Sequence, residues 1–166
     1  MIIQLSLSLR FEILCLLILE LCGSYTIDKN SHSFISNIQA ATSIENIANF
    51  TEKFKNANPY AKGSKNVLRA IKFLKNGSAS PMESRLFVKL CGPRTCGFYG
   101  CKNFELNKQI ELSIPAQKIA GQKFIIPDIV NFEQKAVIEY DSSQFHENGQ
   151  QGQKDKRRRD ALVYDK

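Results

Sequence analysis

The sequence predicts a mixed α/β fold, a sheet flanked by helices, preceded by an N-terminal part of α+β character. Three observations predict it. Apolar residues recur at helical spacing before Gly77, a well-capped helix start stands at Ser80, and two β-type runs joined by a short turn lie between Lys123 and Asp141. With 166 residues the chain has room for one ordinary domain or two small ones, since domains cluster at roughly 100–150 residues. We expect a boundary near Gly77, giving one region over 1–77 and a second domain over 78–166.

Composition narrows the function classes. An apolar share of 43% with Phe frequent and Trp absent belongs to a folding chain, not to a collagen-like or disordered one. Lys and Arg outnumber Asp and Glu by 23 to 16, a formal charge of +7. Such a balance attracts polyanions, nucleic acid first and acidic membrane second. Five cysteines form an odd set, and a chain of this size and apolar content does not depend on disulfides to fold. A reducing, cytoplasmic setting follows as the simpler reading. Cys91, Cys96 and Cys101 are evenly spaced, but a structural zinc site takes four ligands and no fourth Cys or His stands nearby. Buried free thiols in a Gly-rich turn are expected instead.

The run Phe11 to Cys22 has the length of a signal-peptide core. Glu12 and Glu20 interrupt it, and no clean small-x-small cleavage site follows, Gly23-Ser24-Tyr25 being the nearest. The run is also too short for a membrane span, which needs about 20 apolar residues. We read a buried helix leading into a strand through Leu19 to Ile27, with secretion through an N-terminal signal as the alternative. Membrane association is not expected.

The remaining elements follow in order. Ser43 with Glu45 and Asn46 begins an amphipathic helix to about Asn56, ended by Asn58-Pro59. Lys65 to Lys75 resumes the helical period and stops at Asn76-Gly77. Ser80-Pro81-Met82-Glu83 caps a helix running to about Leu90, with Met82, Leu86, Phe87 and Leu90 as its core stripe. A strand is expected within Phe104 to Leu112 and a loop over Pro115 to Gly121. Lys123 to Val130 and Ala136 to Asp141 then read as neighbouring strands, turned at Asn131 to Lys135.

Chemistry concentrates on those two strands. Asp128 lies on the first; Glu139 and Asp141, two residues apart, share a face of the second. Acids among Val137, Ile138 and Tyr140 are costly unless paired or bound to a cation. A hard divalent ion such as Mg2+ or Mn2+, taking one or two carboxylates with water and phosphate, resolves that cost. Glu83 offers a further oxygen, although helix capping explains it equally well. Asp128 and Asp141 also read as turn residues, and His146 as a surface histidine. Lys154, Lys156, Arg157, Arg158 and Arg159 form a solvated basic run available to phosphates, or a surface helix start with no partner.

The series Ser80-Pro-Met-Glu83, Pro127-Asp128, Ile138-Glu139-Tyr-Asp141, His146 and Asp155-Lys-Arg-Arg-Arg159-Asp-Ala-Leu162 resembles the very-short-patch-repair-like endonucleases. These are a branch of the restriction-endonuclease-like, or PD-(D/E)xK, superfamily. Leu14 to Lys166 is also similar to proteins in which an antitoxin-type regulator region precedes such a domain. The resemblance implies a restriction-endonuclease-like core and metal-assisted hydrolysis of DNA. Asp128 and Glu139 match the two metal-binding acids, and Glu83 matches the acid of the first helix. Asp141 stands where many members carry lysine, so His146 or Arg159 would have to supply the missing polar or cationic function. The superfamily core normally continues past the basic helix, so the resemblance also implies a domain incomplete at its C-terminus, with low stability and weak cleavage. The other expectation is a nucleic-acid-binding or regulatory module that keeps the fold without the chemistry.

Overall fold

The computed structural model describes residues 1–28, 30, 31, 33–140 and 149–165, without the side chains of 149–151. They form a mixed α and β structure of two compact units, Met1–Leu106 and Asn107–Lys166. The expected boundary near Gly77 therefore lies inside the first unit, as does the helix begun at Ser80. Among the described residues no helix is long and apolar enough to cross a membrane.

The first unit is largely helical. A short helix α1 (Ile2–Leu5) is tied down by Ser6, whose Oγ donates to the Gly63 carbonyl at 2.9 Å, and by Asn66, whose Nδ2 donates to the Ser6 carbonyl at 2.9 Å. This approach needs a glycine: Gly63 has φ +102°, and a Cβ there would meet the Ile3 carbonyl at 2.3 Å. The signal-like run is helix α2 (Phe11–Leu21), with Leu14, Cys15, Ile18 and Leu19 buried. Of the two acids that interrupt the run, Glu12 stands in the first turn of α2 and Glu20 near its end. Glu20 Oε1 accepts from Thr26 Oγ1 and the Ile27 amide, each at 2.9 Å. The expected strand is shorter than the stretch from Leu19, because the helix persists to Leu21 and the chain turns before β1 (Tyr25–Ile27). β1 pairs antiparallel with β2 (Phe34–Ser36).

Helix α3 (Ile44–Ala57) begins at Ser43, whose Oγ accepts from the Asn46 amide at 3.2 Å. Helix α4 (Ser64–Ile71) stops sooner than its periodicity suggests. The chain beyond it brings Asn76 back to α3, where Oδ1 accepts from the Ile44 amide at 2.8 Å and Nδ2 donates to Glu45. Asn76 is thus a second cap for α3. Helix α5 (Pro81–Cys91) carries Phe87 and Val88 into the core at 0% exposure, along with Ser84. Met82 is instead exposed, so the buried stripe runs through positions 84, 87, 88 and 91. Tyr25, Ser84 and Ser78 form a buried hydroxyl chain, with Tyr25 Oη to Ser84 Oγ and Ser84 Oγ to Ser78 Oγ both at 2.8 Å. A 3-10 turn at Arg94–Cys96 and β3 (Glu105–Leu106) complete the unit.

The second unit starts at Asn107, held at φ +49°. That left-handed turn breaks the single strand expected over Phe104 to Leu112, leaving β4 (Ile110–Glu111) beyond it. The expected loop at Pro115 to Gly121 is helix α6 (Ile114–Ala120). Ser113 caps it, Pro115 occupies the first turn, and Gly121 closes it at φ +71°. β5 (Phe124–Ile125) pairs antiparallel with β4, and Pro127, which cannot donate to a ladder, separates it from β6 (Ile129–Asn131). β7 (Ala136–Ile138) pairs antiparallel with β6. Helix α7 (Gly149–Tyr164) packs Ala161 and Leu162 against Leu112, Ala116, Ile119 and Ile125. Asp165 fastens the two helices, its Oδ2 accepting from the Ser113 amide at 2.8 Å and its Oδ1 from the Ser113 hydroxyl.

Candidate nucleic-acid and cation site

The hairpin β6–β7 decides where the acids go. Ile129 lies opposite Ile138, Val130 opposite Val137 and Asn131 opposite Ala136. One step further, this register sets Asp128 across from Glu139, and directly opposed residues of an antiparallel pair share a face with Cβ atoms roughly 4.5–5.5 Å apart. Asp128 is fixed by the neighbouring strand end, its Oδ2 accepting from the Tyr140 amide at 2.6 Å. The turn that sets this register is held from within: Asn131 Oδ1 accepts from the Gln134 amide at 2.9 Å, and Lys135 takes φ +49°.

Both acids line one groove of about 1060 Å³ within the second unit, together with Tyr140, Asp155, Arg158 and Arg159. Helix α7 brings the cations. Arg158 Nη2 donates to Glu139 Oε1 at 2.8 Å and to the Ile126 carbonyl at 3.3 Å. The two paired side chains are 31% and 32% exposed, so the pair is partly shielded from water and less screened than a surface bridge. Glu139 therefore meets its electrostatic cost, in the chain itself, with a guanidinium.

The basic run divides by helical geometry. Lys154, Lys156, Arg157 and Arg159 are exposed, as a solvated run requires. Arg158 is the exception and corrects that expectation: it precedes the buried Ala161 by three residues and Leu162 by four, so it sits on the inner face of α7. That spacing was the signal in the sequence that could have separated it from its neighbours.

Glu83 lies in the first unit. Its Oε2 accepts from the Ala79 amide at 2.9 Å and its own amide donates to Ser80 Oγ at 3.2 Å, the arrangement of a capping pair at the start of α5. Asp141 and His146 lie outside the described residues. Among the described residues no group of three or more His, Cys, Asp or Glu is gathered so as to hold a metal ion. The pair Asp128 and Glu139 nevertheless offers what magnesium commonly takes from protein, one or two carboxylates, with water and phosphate oxygens making up the rest.

The cysteines are free thiols, but of the evenly spaced three only Cys91, at the end of α5, is buried as expected, Cys96 and Cys101 being half-buried. Burial pushes Cys15, Cys22 and Cys91 up to about 12, the neighbouring Cys96 adding to the effect at Cys15 and Cys101 at Cys91. Cys96 is half-buried, and its Sγ accepts from Arg69 Nη2 at 3.0 Å, while the same guanidinium lies 4.8 Å from the centre of the Phe11 ring.

No protein-family model matches the chain, and no curated protein or solved structure matches it.

Proposed function

We propose that the second unit is the core of a metal-dependent DNA endonuclease of the very-short-patch-repair-like branch of the PD-(D/E)xK superfamily. One observation carries the reading: the hairpin register sets Asp128 and Glu139 on one face, in a groove that Arg158 and Arg159 also line. Asp128 and Glu139 would hold Mg2+ or Mn2+. A cation bound there would acidify a coordinated water and offset charge on the phosphate under attack. The protein's own groups do the rest. The Tyr140 amide orients the Asp128 carboxylate, and Arg158 and Arg159 hold the phosphodiester and offset its charge. The exposed Lys154, Lys156 and Arg157 add salt-sensitive contacts along the backbone of the duplex.

A second reading is favoured by one observation, the ion pair between Glu139 and Arg158. A groove whose acid is already neutralised by an internal cation suits a module that binds nucleic acid without cutting it. Plasmid nicking with and without Mg2+ separates the two, comparing the native chain with Glu139→Ala and Asp128→Ala. The nuclease reading expects Mg2+-dependent nicking that both substitutions abolish. Nicking that is absent, or equal in all three proteins, rejects it. Salt-sensitive DNA binding without metal affinity would then identify the binding module.

A further inference from the structure

The pose of Arg158 is incompletely satisfied. Its Nη2 makes two hydrogen bonds, one of them long at 3.3 Å, while its Nε is buried with no hydrogen-bond partner among the described residues. A buried donor without a partner is costly, whereas a phosphate can take two parallel bonds from one edge of a guanidinium. Moving to a phosphate would therefore gain Arg158 at least one bond. The same move would leave Glu139 beside Asp128, two carboxylates on one face of a hairpin, an arrangement that a nearby divalent cation stabilises.

We propose that Arg158 couples phosphodiester binding to cation binding in this groove. In the chain alone it latches Glu139; an arriving phosphate draws it off, and the released acid completes a cation site with Asp128. Linkage makes the effect reciprocal, so that a cation seated on the two acids displaces Arg158 toward the phosphate. The coupling rests on the reading of Asp128 and Glu139 as cation ligands, and it assigns Arg158 a positioning role on Glu139 in addition to phosphate contact.

The test uses the full chain and Mn2+ as the probe, titrated calorimetrically without DNA. Arg158→Gln removes the competing cation from Glu139 and is expected to tighten Mn2+ binding about 5-fold or more, the lower end of ordinary coupling between sites. Equal or weaker Mn2+ binding in Arg158→Gln overturns the coupling. A second comparison leaves Arg158 in place: duplex DNA binding by fluorescence anisotropy in EDTA, with Glu139→Gln against Asp128→Asn. Each removes one negative charge from the groove, but only the first unlatches Arg158. Glu139→Gln is expected to tighten metal-free DNA binding beyond Asp128→Asn, and equal effects overturn the proposal. The two levels fail differently. Mn2+ bound equally by native chain and Arg158→Gln, and lost in Asp128→Asn, sinks the coupling alone. No Mn2+ bound by any of these proteins sinks the cation site and the coupling with it.

Discussion

Glu83 is where a helix cap and a metal ligand make opposite predictions. The side chain is 7% exposed, and its Oε2 takes the Ala79 amide at 2.9 Å. Glu83→Ala deletes that acceptor, and lost caps cost about 0.5–2 kcal/mol. It also removes a negative charge from the first turn, worth about 0.3–1 kcal/mol against the helix dipole. Together these give a destabilisation of about 1–3 kcal/mol. Glu83→Gln keeps an oxygen at the same reach and forfeits mainly the charge, so it should cost only about 0.3–1 kcal/mol. Urea unfolding followed by far-UV circular dichroism reads both, provided the denaturant slope is unchanged. As a cap, Glu83 leaves Mn2+ affinity the same in both variants; as a ligand, it loses affinity even with Gln. Glu83 does not act as a cap if Glu83→Ala stays within about 0.5 kcal/mol of the native chain, the range of ordinary surface substitutions. The same holds if Gln costs as much as Ala.

Three further outcomes are expected. Ser84→Ala strands the buried Tyr25 hydroxyl and should cost about 1–3 kcal/mol, Tyr25→Phe about 0.5–1.5 kcal/mol because Ser84 keeps Ser78, and the double variant less than the sum; strict additivity in urea unfolding would contradict a shared network. Hydrogen bonds from Asn76 and from Ser113 hold the carboxyls of Glu45 and Asp165 below their ordinary ranges. Depressed folded-state values mean stability fully present above the unfolded values near pH 4 and lost as pH falls through the folded ones. Asn76→Ala and Asp165→Asn should each flatten the loss of urea midpoint between about pH 5 and pH 2, and an unchanged profile in both would disprove the assignment. With the thiols of Cys15, Cys22 and Cys91 pushed up to about 12, a thiol-specific disulfide reagent at pH 8 should modify Cys96 and Cys101 first in the native chain; peptide mapping that finds Cys15 or Cys22 in the fast phase would exclude their burial.

Where the sequence was legible, short-range chemistry decided the structure. Ser43 and Ser80 announced their helices because a cap needs only a hydroxyl and a free amide three residues on. The hairpin was readable because a short turn between two β-type runs fixes pairing and face, but β6 begins after Asp128 and β7 ends before Glu139, so both acids flank strands that were expected to carry them. Ser113 carries the same cap signal, but Pro115 and Gly121 suggested a loop, although Pro in a first turn and Gly past the last are also how a short helix begins and ends. Asn76 was read as a stop signal, since nothing local shows that its amide will reach Ile44, 32 positions away. Arg158 was missed among like charges although its spacing from Ala161 and Leu162 marks the inner face of α7. Its inward position depends on Ala161 and Leu162 choosing the buried side of α7, and its partner is 19 positions earlier.

The four residues between β6 and β7, 132 to 135, act as a spacer whose parity matters more than its sequence. Because a strand alternates its faces at every residue, sliding β7 past β6 by a single position would send one carboxylate to the far surface and strand Arg158 opposite an apolar neighbour. Lengthening that loop is ordinarily among the mildest changes a protein can absorb. Here it would dismantle the groove while leaving every residue of it in place.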